Sequence, residues 1–146
     1  MNSLRLTLPL PPSVNNQYVT VGRRRVLSRE AKRFRRSVEA IVRDGFTSGR
    51  IRQDWVDAAR GQPMAGDITF YFTTPYRRDL DGGLKIALDA LLDALQLDDR
   101  YIVSITLTKQ IDPLEPRADI ELAPIPGWQF DETYVVLDQP EESEDA

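Results

Sequence analysis

Two aspartates one residue apart, Asp79 and Asp81, stand in the run Arg77-Arg78-Asp79-Leu80-Asp81, with Lys85 four positions on and a further acidic pair at Asp98-Asp99. In extended backbone, residues two apart point to the same side. Carboxylates so placed repel, and one tends to stay protonated unless a cation lies between them. A divalent ion resolves the repulsion, acidifies bound water and polarises a phosphoryl oxygen. Lys85 falls on nearly the same helical face as Asp81, where an ammonium could neutralise charge developing on a phosphate. Arg77 and Arg78 can grip phosphates on either side. A structural reading competes. Asp-x-Asp before a helix can be a turn with Asp81 as N-cap. Asp81 and Lys85 can be an ordinary i,i+4 ion pair. Asp98-Asp99 can be a solvated turn.

The composition narrows the chemistry. Among 146 residues there is no histidine and no cysteine, which excludes imidazole bases, thiolate nucleophiles, disulfides and zinc sites built on sulfur or imidazole. A metal must be held by oxygen, which favours Mg²⁺ or Mn²⁺. The net charge of −4 hides a segregation. Residues 1–60 carry 13 basic and 5 acidic residues, net +8; residues 61–110 are at −2 and residues 111–146 at −10. A basic first half in an acidic protein points to a polyanion partner for that half. No apolar run is long enough for a bilayer. The first residues read as a strand rather than a signal peptide, so the expected compartment is the cytoplasm.

The elements that must position these residues follow from pattern. Leu4, Leu6 and Leu8 alternate with polar residues and predict a strand, ended by Pro9, Pro11 and Pro12 before a loop over 13–16. Tyr18–Thr20 and Arg24–Leu27 predict two short strands around Gly22. Ser28 caps a helix expected to run to about Asp44 and stop at Gly45, with Ala31, Phe34, Val38, Ile41 and Val42 facing the core. Residues 47–65 are ambiguous, with a short helical turn at Trp55 and Val56. Asp67–Thr74 reads as a strand, Leu84–Leu95 as a helix, and Ile102–Lys109 with Arg117–Leu122 as two strands expected to pair antiparallel. Helices and strands without regular alternation predict an α+β single domain, a mixed sheet packed by two main helices.

Several ordered motifs carry a resemblance. Leu8-Pro9-Leu10-Pro11-Pro12-Ser13 followed by Asn15 and Asn16, the basic stretch Arg24 through Val38, and Arg78-Asp79-Leu80-Asp81 with Lys85, Asp89-Ala90-Leu91 and Asp98-Asp99 together resemble the RusA-type Holliday-junction resolvases over roughly residues 4 to 122. The resemblance implies a homodimer that introduces paired nicks across a four-way junction. It also implies three metal-site carboxylates, falling on Asp79, Asp81 and Asp99, and one essential lysine, Lys85. The position after Asp81, usually asparagine in that family, is Gly82 here, followed by Gly83. Residues 1–124 form the expected endonuclease domain. Residues 125–146 form an acidic extension whose last residues are expected to be disordered.

A geometric difficulty arises within this picture. Asp81 and Asp99 flank a helix of about 12 residues, some 18 Å long at 1.5 Å per residue. Leu84, Leu88, Leu91, Leu92 and Leu95 form one apolar face, and Ile86, Ala90 and Ala94 a second, narrower stripe that either a neighbouring strand or another helix could cover. The expectation is that the helix pairs antiparallel with its symmetry mate, so that each site joins Asp79, Asp81 and Lys85 of one subunit to Asp99 of the other.

The expected reaction is phosphodiester hydrolysis with one or two Mg²⁺ (or Mn²⁺) ions, in DNA recombination and repair. The cations expected to hold DNA phosphates are Arg23, Arg24, Arg25, Arg29, Lys32, Arg33, Arg36, Arg77, Arg78 and Lys109. A branched-DNA-binding protein without activity, or a nuclease for flaps and forks, would use the same surface. The acidic tail, Asp138 through Asp145, reads as solubilising disorder or as a DNA mimic folded on the basic face. Trp128, Phe130, Tyr134 and Val135 to Leu137 suggest that part of the extension packs on something, with the dimer partner as one candidate.

Overall fold

A computed structural model describes residues 3–130. The chain runs β1 (Leu4–Leu8), a 3-10 turn (Val14–Asn16), β2 (Tyr18–Val21), β3 (Arg24–Leu27), α1 (Arg29–Ser48), α2 (Gln53–Ala59), β4 (Met64–Phe72), α3 (Leu84–Leu95), a second 3-10 turn (Asp99–Tyr101), β5 (Ile102–Ile111) and β6 (Arg117–Pro124). Tyr134, Val135 to Leu137 and the tail from Asp138 to Asp145 lie outside the described residues.

Four strands form one sheet in the order β1-β6-β4-β5, and β2 with β3 forms a separate hairpin. β4 and β5 are parallel, joined through α3, while β6 runs antiparallel to both β1 and β4. The fold is α+β with a mixed sheet, as expected. The expected β5–β6 pair is absent. β6 buries Ala118, Ile120 and Leu122 on one face and finds backbone partners on both sides by lying between β1 and β4. Periodicity marks a strand's buried face but says nothing of its neighbours, and the parallel β4–α3–β5 crossover had already placed β5 on β4's other side.

One sheet face is covered by α1 and α3. Ala31, Phe34, Val38 and Val42 of α1 join Leu91, Leu92 and Leu95 of α3 and Ile68, Phe70, Ile120 and Leu122 of the sheet in one core. Arg35 of α1 reaches Asp93 of α3 at 2.6 Å. The opposite sheet face carries Arg5, Thr7, Asp67, Asp119 and Glu121 in register.

Two helix expectations are corrected. α1 does not stop at Gly45 but continues to Ser48 and ends at Gly49, which takes the left-handed conformation at φ 80°. Gly45 is a buried helix position where a Cβ would meet Ile51 Cδ1 at 2.5 Å. It is a glycine because Ile51 folds back onto it, not because the helix ends. In α3, Ile86 and Ala90 are buried within the single chain, so α1 and the sheet already cover most of the second apolar stripe. What remains outward is the polar ridge of Lys85, Asp89, Asp93 and Gln96. Of that stripe only Ala94 stays partly exposed, so Ile86 and Ala90 are not available for pairing with a symmetry mate.

A Cβ added at Gly49 would meet nothing within 4 Å, so only the backbone conformation demands glycine there. Gly49→Ala should lower stability by about 1–2 kcal/mol, read as a lower urea midpoint with an unchanged slope.

Candidate active site

The loop 73–83 leaves β4 and enters α3, and three parts of the chain fix it. Lys109 of β5 donates from Nζ to the Arg78 carbonyl at 2.9 Å. Gln17, a buried polar side chain, donates from Nε2 to the Gly82 carbonyl at 2.8 Å and to the Pro12 carbonyl at 2.9 Å. Pro11 packs so closely on Gly83 that a Cβ there would lie 2.5 Å from the proline Cγ. Within the loop, the Arg78 guanidinium donates to the Thr74 hydroxyl and carbonyl and lies 4.6 Å over the Phe72 ring. An open cleft of about 560 Å³ results, lined among others by Val14, Asn15, Phe72, Arg77, Arg78, Asp79 and Gly82.

Asp79 and Asp81 lie on a turn rather than an extended segment. Gly82 N donates to the Asp79 carbonyl at 3.4 Å and Leu84 N to the Asp81 carbonyl at 3.1 Å. Asp81 is not the helix cap: Gly83 holds that position, without a side-chain bond. Both aspartates are exposed. Among the described residues, neither carboxylate takes part in a hydrogen bond or ion pair. Nor does Asp81 pair with Lys85, whose ammonium lies 3.6 Å from Asp89. The structural alternatives for Asp81, cap and i,i+4 pair, are therefore both unused.

Asp98 and Asp99 divide their tasks. Asp98 accepts from the Arg100 backbone N–H at 2.9 Å as cap of the short turn, and from its guanidinium at 2.6 Å. The Arg100 side chain and backbone hold its carboxyl down to about 2, against the ordinary 3.8. Asp99 is exposed at the first residue of that turn. Nearby, Tyr101 stacks edge-on with Phe130 at 5.0 Å, and Phe130 lies 4.8 Å from Trp128, so the start of the acidic extension packs on its own chain.

The donor set suits a hard cation only in part. Two exposed carboxylates belong to one braced turn, of which Asp79 lines the cleft, yet among the described residues no three acidic side chains gather where they could hold a metal ion. Asp99 follows α3, with the length of that 12-residue helix between it and Asp81. The expected three-carboxylate set is not assembled within one chain.

The basic candidates fall into two groups. Arg23, Arg24 and Arg25 are exposed on the hairpin, and Arg29, Lys32, Arg33 and Arg36 on the outer side of α1. No ion pair among the described residues engages any of these seven, or Arg77; Arg25 lies 4.7 Å over the Tyr18 ring. Arg78 and Lys109, by contrast, already brace the loop. A larger groove of about 1230 Å³ lies elsewhere, bounded by Arg5, Asp44, Arg50 and Glu121, and holds none of the candidates. Sequence reasoning missed Gln17 and the Pro11–Gly83 contact. Their only signal was the polar run Asn15-Asn16-Gln17 after the prolines.

The two glycines differ. A Cβ on Gly82 would sit 3.6 Å from the Asp79 carbonyl, an ordinary contact, whereas Gly83 has no room. Gly83→Ala should cost about 1–3 kcal/mol by overpacking. Gly82→Asn should leave stability unchanged or slightly raised. Thermal unfolding of the two variants side by side checks the contrast.

Comparison with known proteins identifies the family. The family described as Endodeoxyribonuclease RusA matches residues 9–123. A crossover junction endodeoxyribonuclease RusA of Escherichia coli O139:H28 is 32% identical over 124 residues, 84% of this chain and 93% of that protein. The protein of that name from Escherichia coli K12 is 33% identical and that from Enterobacteria phage 82 is 32% identical, each over 75% of this chain and 84% of its own length. With the match spanning the prolines at the cleft, the braced turn of Asp79 and Asp81 and the strands behind it, the chain belongs to the RusA endodeoxyribonuclease family.

Proposed function

We propose that the protein resolves four-way DNA junctions by paired, divalent-metal-dependent hydrolysis of phosphodiesters. The observation carrying this reading is the turn at 79–82, where two carboxylates without partners are held in place from Pro11, Gln17 and Lys109. Asp79 and Asp81 would hold Mg²⁺, or Mn²⁺, together with Asp99 of the partner subunit. When bound, the ion supplies Lewis acidity toward the phosphate and acidifies the attacking water.

The chain's own residues do the rest. Lys85 is 81% exposed in an ion pair that is weak at such exposure, so it can exchange Asp89 for a phosphate oxygen as charge develops there. Arg77 stands at the cleft to take a phosphate beside the cut. Arg78 and Lys109 hold the loop's shape while their remaining donors face the same strand. The unpaired cations of the hairpin and α1 supply the salt-dependent grip.

The separation of Asp81 and Asp99 along α3 supports a homodimer in which each site draws on both subunits. With Ile86 and Ala90 of α3 buried, the subunit contact is proposed elsewhere. The edge strand β5 offers Ile105 and Ile111, both more than two-fifths exposed, beside backbone groups with no strand on that side among the described residues. A two-fold pair presents two equivalent sites to two strands of a junction. No helix among the described residues is long and apolar enough to cross a membrane, and action on DNA is the argument for the cytoplasm as its compartment.

Junction cleavage by the wild type beside Asp81→Asn tests the chemistry. The wild type should cut, and the variant should fall by more than roughly 100-fold, beyond the loss that even outer partners of a metal cause. Binding without cleavage in both Mg²⁺ and Mn²⁺ would favour a non-catalytic junction binder instead, the reading to which Gly82 lends itself. Cleavage of flaps or forks in preference would name another branched substrate.

Mixing subunits tests the shared site. Asp81→Asn and Asp99→Asn homodimers should both be inactive, while the mixed dimer regains one intact site and nicks a single strand. Inactivity of the mixture, with exchange verified, would place all ligands within one subunit.

A further inference from the structure

The β2–β3 hairpin is tied down at one end and bare at the other. Among the described residues its strands pair only with each other, and a two-stranded ribbon is marginal in water by itself. Its foot is fixed by hydrogen bonds. Ser28 N donates to the Gln17 carbonyl at 2.8 Å, Ser28 Oγ donates to the Asn16 carbonyl, and Gln17 reaches the Gly82 carbonyl at 2.8 Å. The tip is a tight turn with Gly22 at φ 64°, flanked by Val21 and three consecutive arginines.

The register sorts the hairpin into two faces. Tyr18 opposes Leu27 and Thr20 opposes Arg25; Arg25 stacks over Tyr18 on that side. On the other face Val19 opposes Val26 and Val21 opposes Arg24. Val19 is 48% exposed and Val21 62% exposed. An apolar strip thus projects into solvent between cations that have no acidic partner among the described residues. The charge around it commits the occupant to a polyanion rather than to an apolar protein surface. The polyanion that offers apolar faces is a nucleic acid with unstacked bases.

We propose that this hairpin is a branch-point wedge. Val19 and Val21 lie against bases that lose a stacking neighbour where strands exchange, and Arg23 and Arg24 hold the adjoining phosphates. Unstacking costs least where stacking is already interrupted, so the wedge favours a branch over continuous duplex. Because Gln17 joins the hairpin foot to the turn of Asp79 and Asp81, the wedge and the cutting position keep one spacing. The proposal rests on the junction-nuclease reading and adds how a branch is told from a duplex.

The test uses full-length protein and four-way junctions carrying 2-aminopurine beside the branch, with Ca²⁺ to hold the complex uncut and Mg²⁺ to allow cleavage. Wild-type binding should raise the fluorescence. Val19→Ser/Val21→Ser changes two exposed side chains and should unfold at the wild-type temperature. It should bind linear duplex as tightly as wild type, with the same salt dependence, yet lose most of the fluorescence rise and cut junctions at least about tenfold more slowly. Arg23→Gln/Arg24→Gln should instead weaken duplex and junction binding alike and flatten the log-salt slope by about two. A valine variant that unstacks and cuts like wild type overturns the wedge while leaving the nuclease reading standing. A valine variant that sediments as a monomer also overturns it, making the strip a subunit contact. Wild-type protein that neither binds nor cuts junctions overturns both readings together.

Discussion

A single buried amide holds the molecule's two working parts in register. Gln17 gives both of its N–H groups to carbonyls, one from the proline loop after β1 and one from Gly82. An amide buried this way is costly unless satisfied, so the three segments it joins cannot move apart independently. From that point the hairpin extends one way and the turn of Asp79 and Asp81 the other. The Pro11 ring against Gly83 closes the same junction by shape, where any Cβ would collide. The loop between β4 and α3 has a few hydrogen bonds of its own, from Arg78 to Thr74 and in the turn at 79–84. Its geometry is borrowed from β5, through Lys109, and from the segment before α1.

Charge is distributed with a comparable logic. Cations that serve the fold are paired: Arg35 with Asp93 across the two main helices, Arg117 with Asp112 and Asp119, Arg100 with Asp98. Those on the hairpin and the outer turns of α1 are not paired among the described residues. Arg35 and Arg36 are adjacent in sequence, yet one is fastened to α3 and the other faces solvent, because a helix turns about 100° from one residue to the next. A protein of negative net charge can therefore keep this set of cations free of acidic neighbours among the described residues.

The candidate residues for the chemistry were legible in the sequence because they are picked out by residue type and short spacing. The absence of histidine and cysteine left oxygen donors, and Asp79, Asp81 and Lys85 stood close enough to be read together. The strands and both main helices showed through periodicity. What did not show was whatever depends on distant neighbours. The place of β6 between β1 and β4 is decided by which edges remain free after the crossover, not by its own residues. Gly45 looked like a helix stop because glycine usually is one, but a tertiary contact with Ile51 explains it. The cap at Asp81 failed because the turn brought its backbone carbonyl, not its side chain, to the helix start. The second stripe of α3 was correctly apolar, and α1 and the sheet claimed it before any partner could.

The brace from Lys109 has a consequence for motion. Among the described residues β5 has a strand neighbour on one side only, and edge elements open at lower free energy than central ones. The carbonyl of Arg78 is thus moored to one of the two edge strands of the sheet. Fraying of that rim would slacken the acidic turn while β4 and β6 stayed closed, which makes local unfolding, rather than global denaturation, the event that limits how long the carboxylates stay aligned.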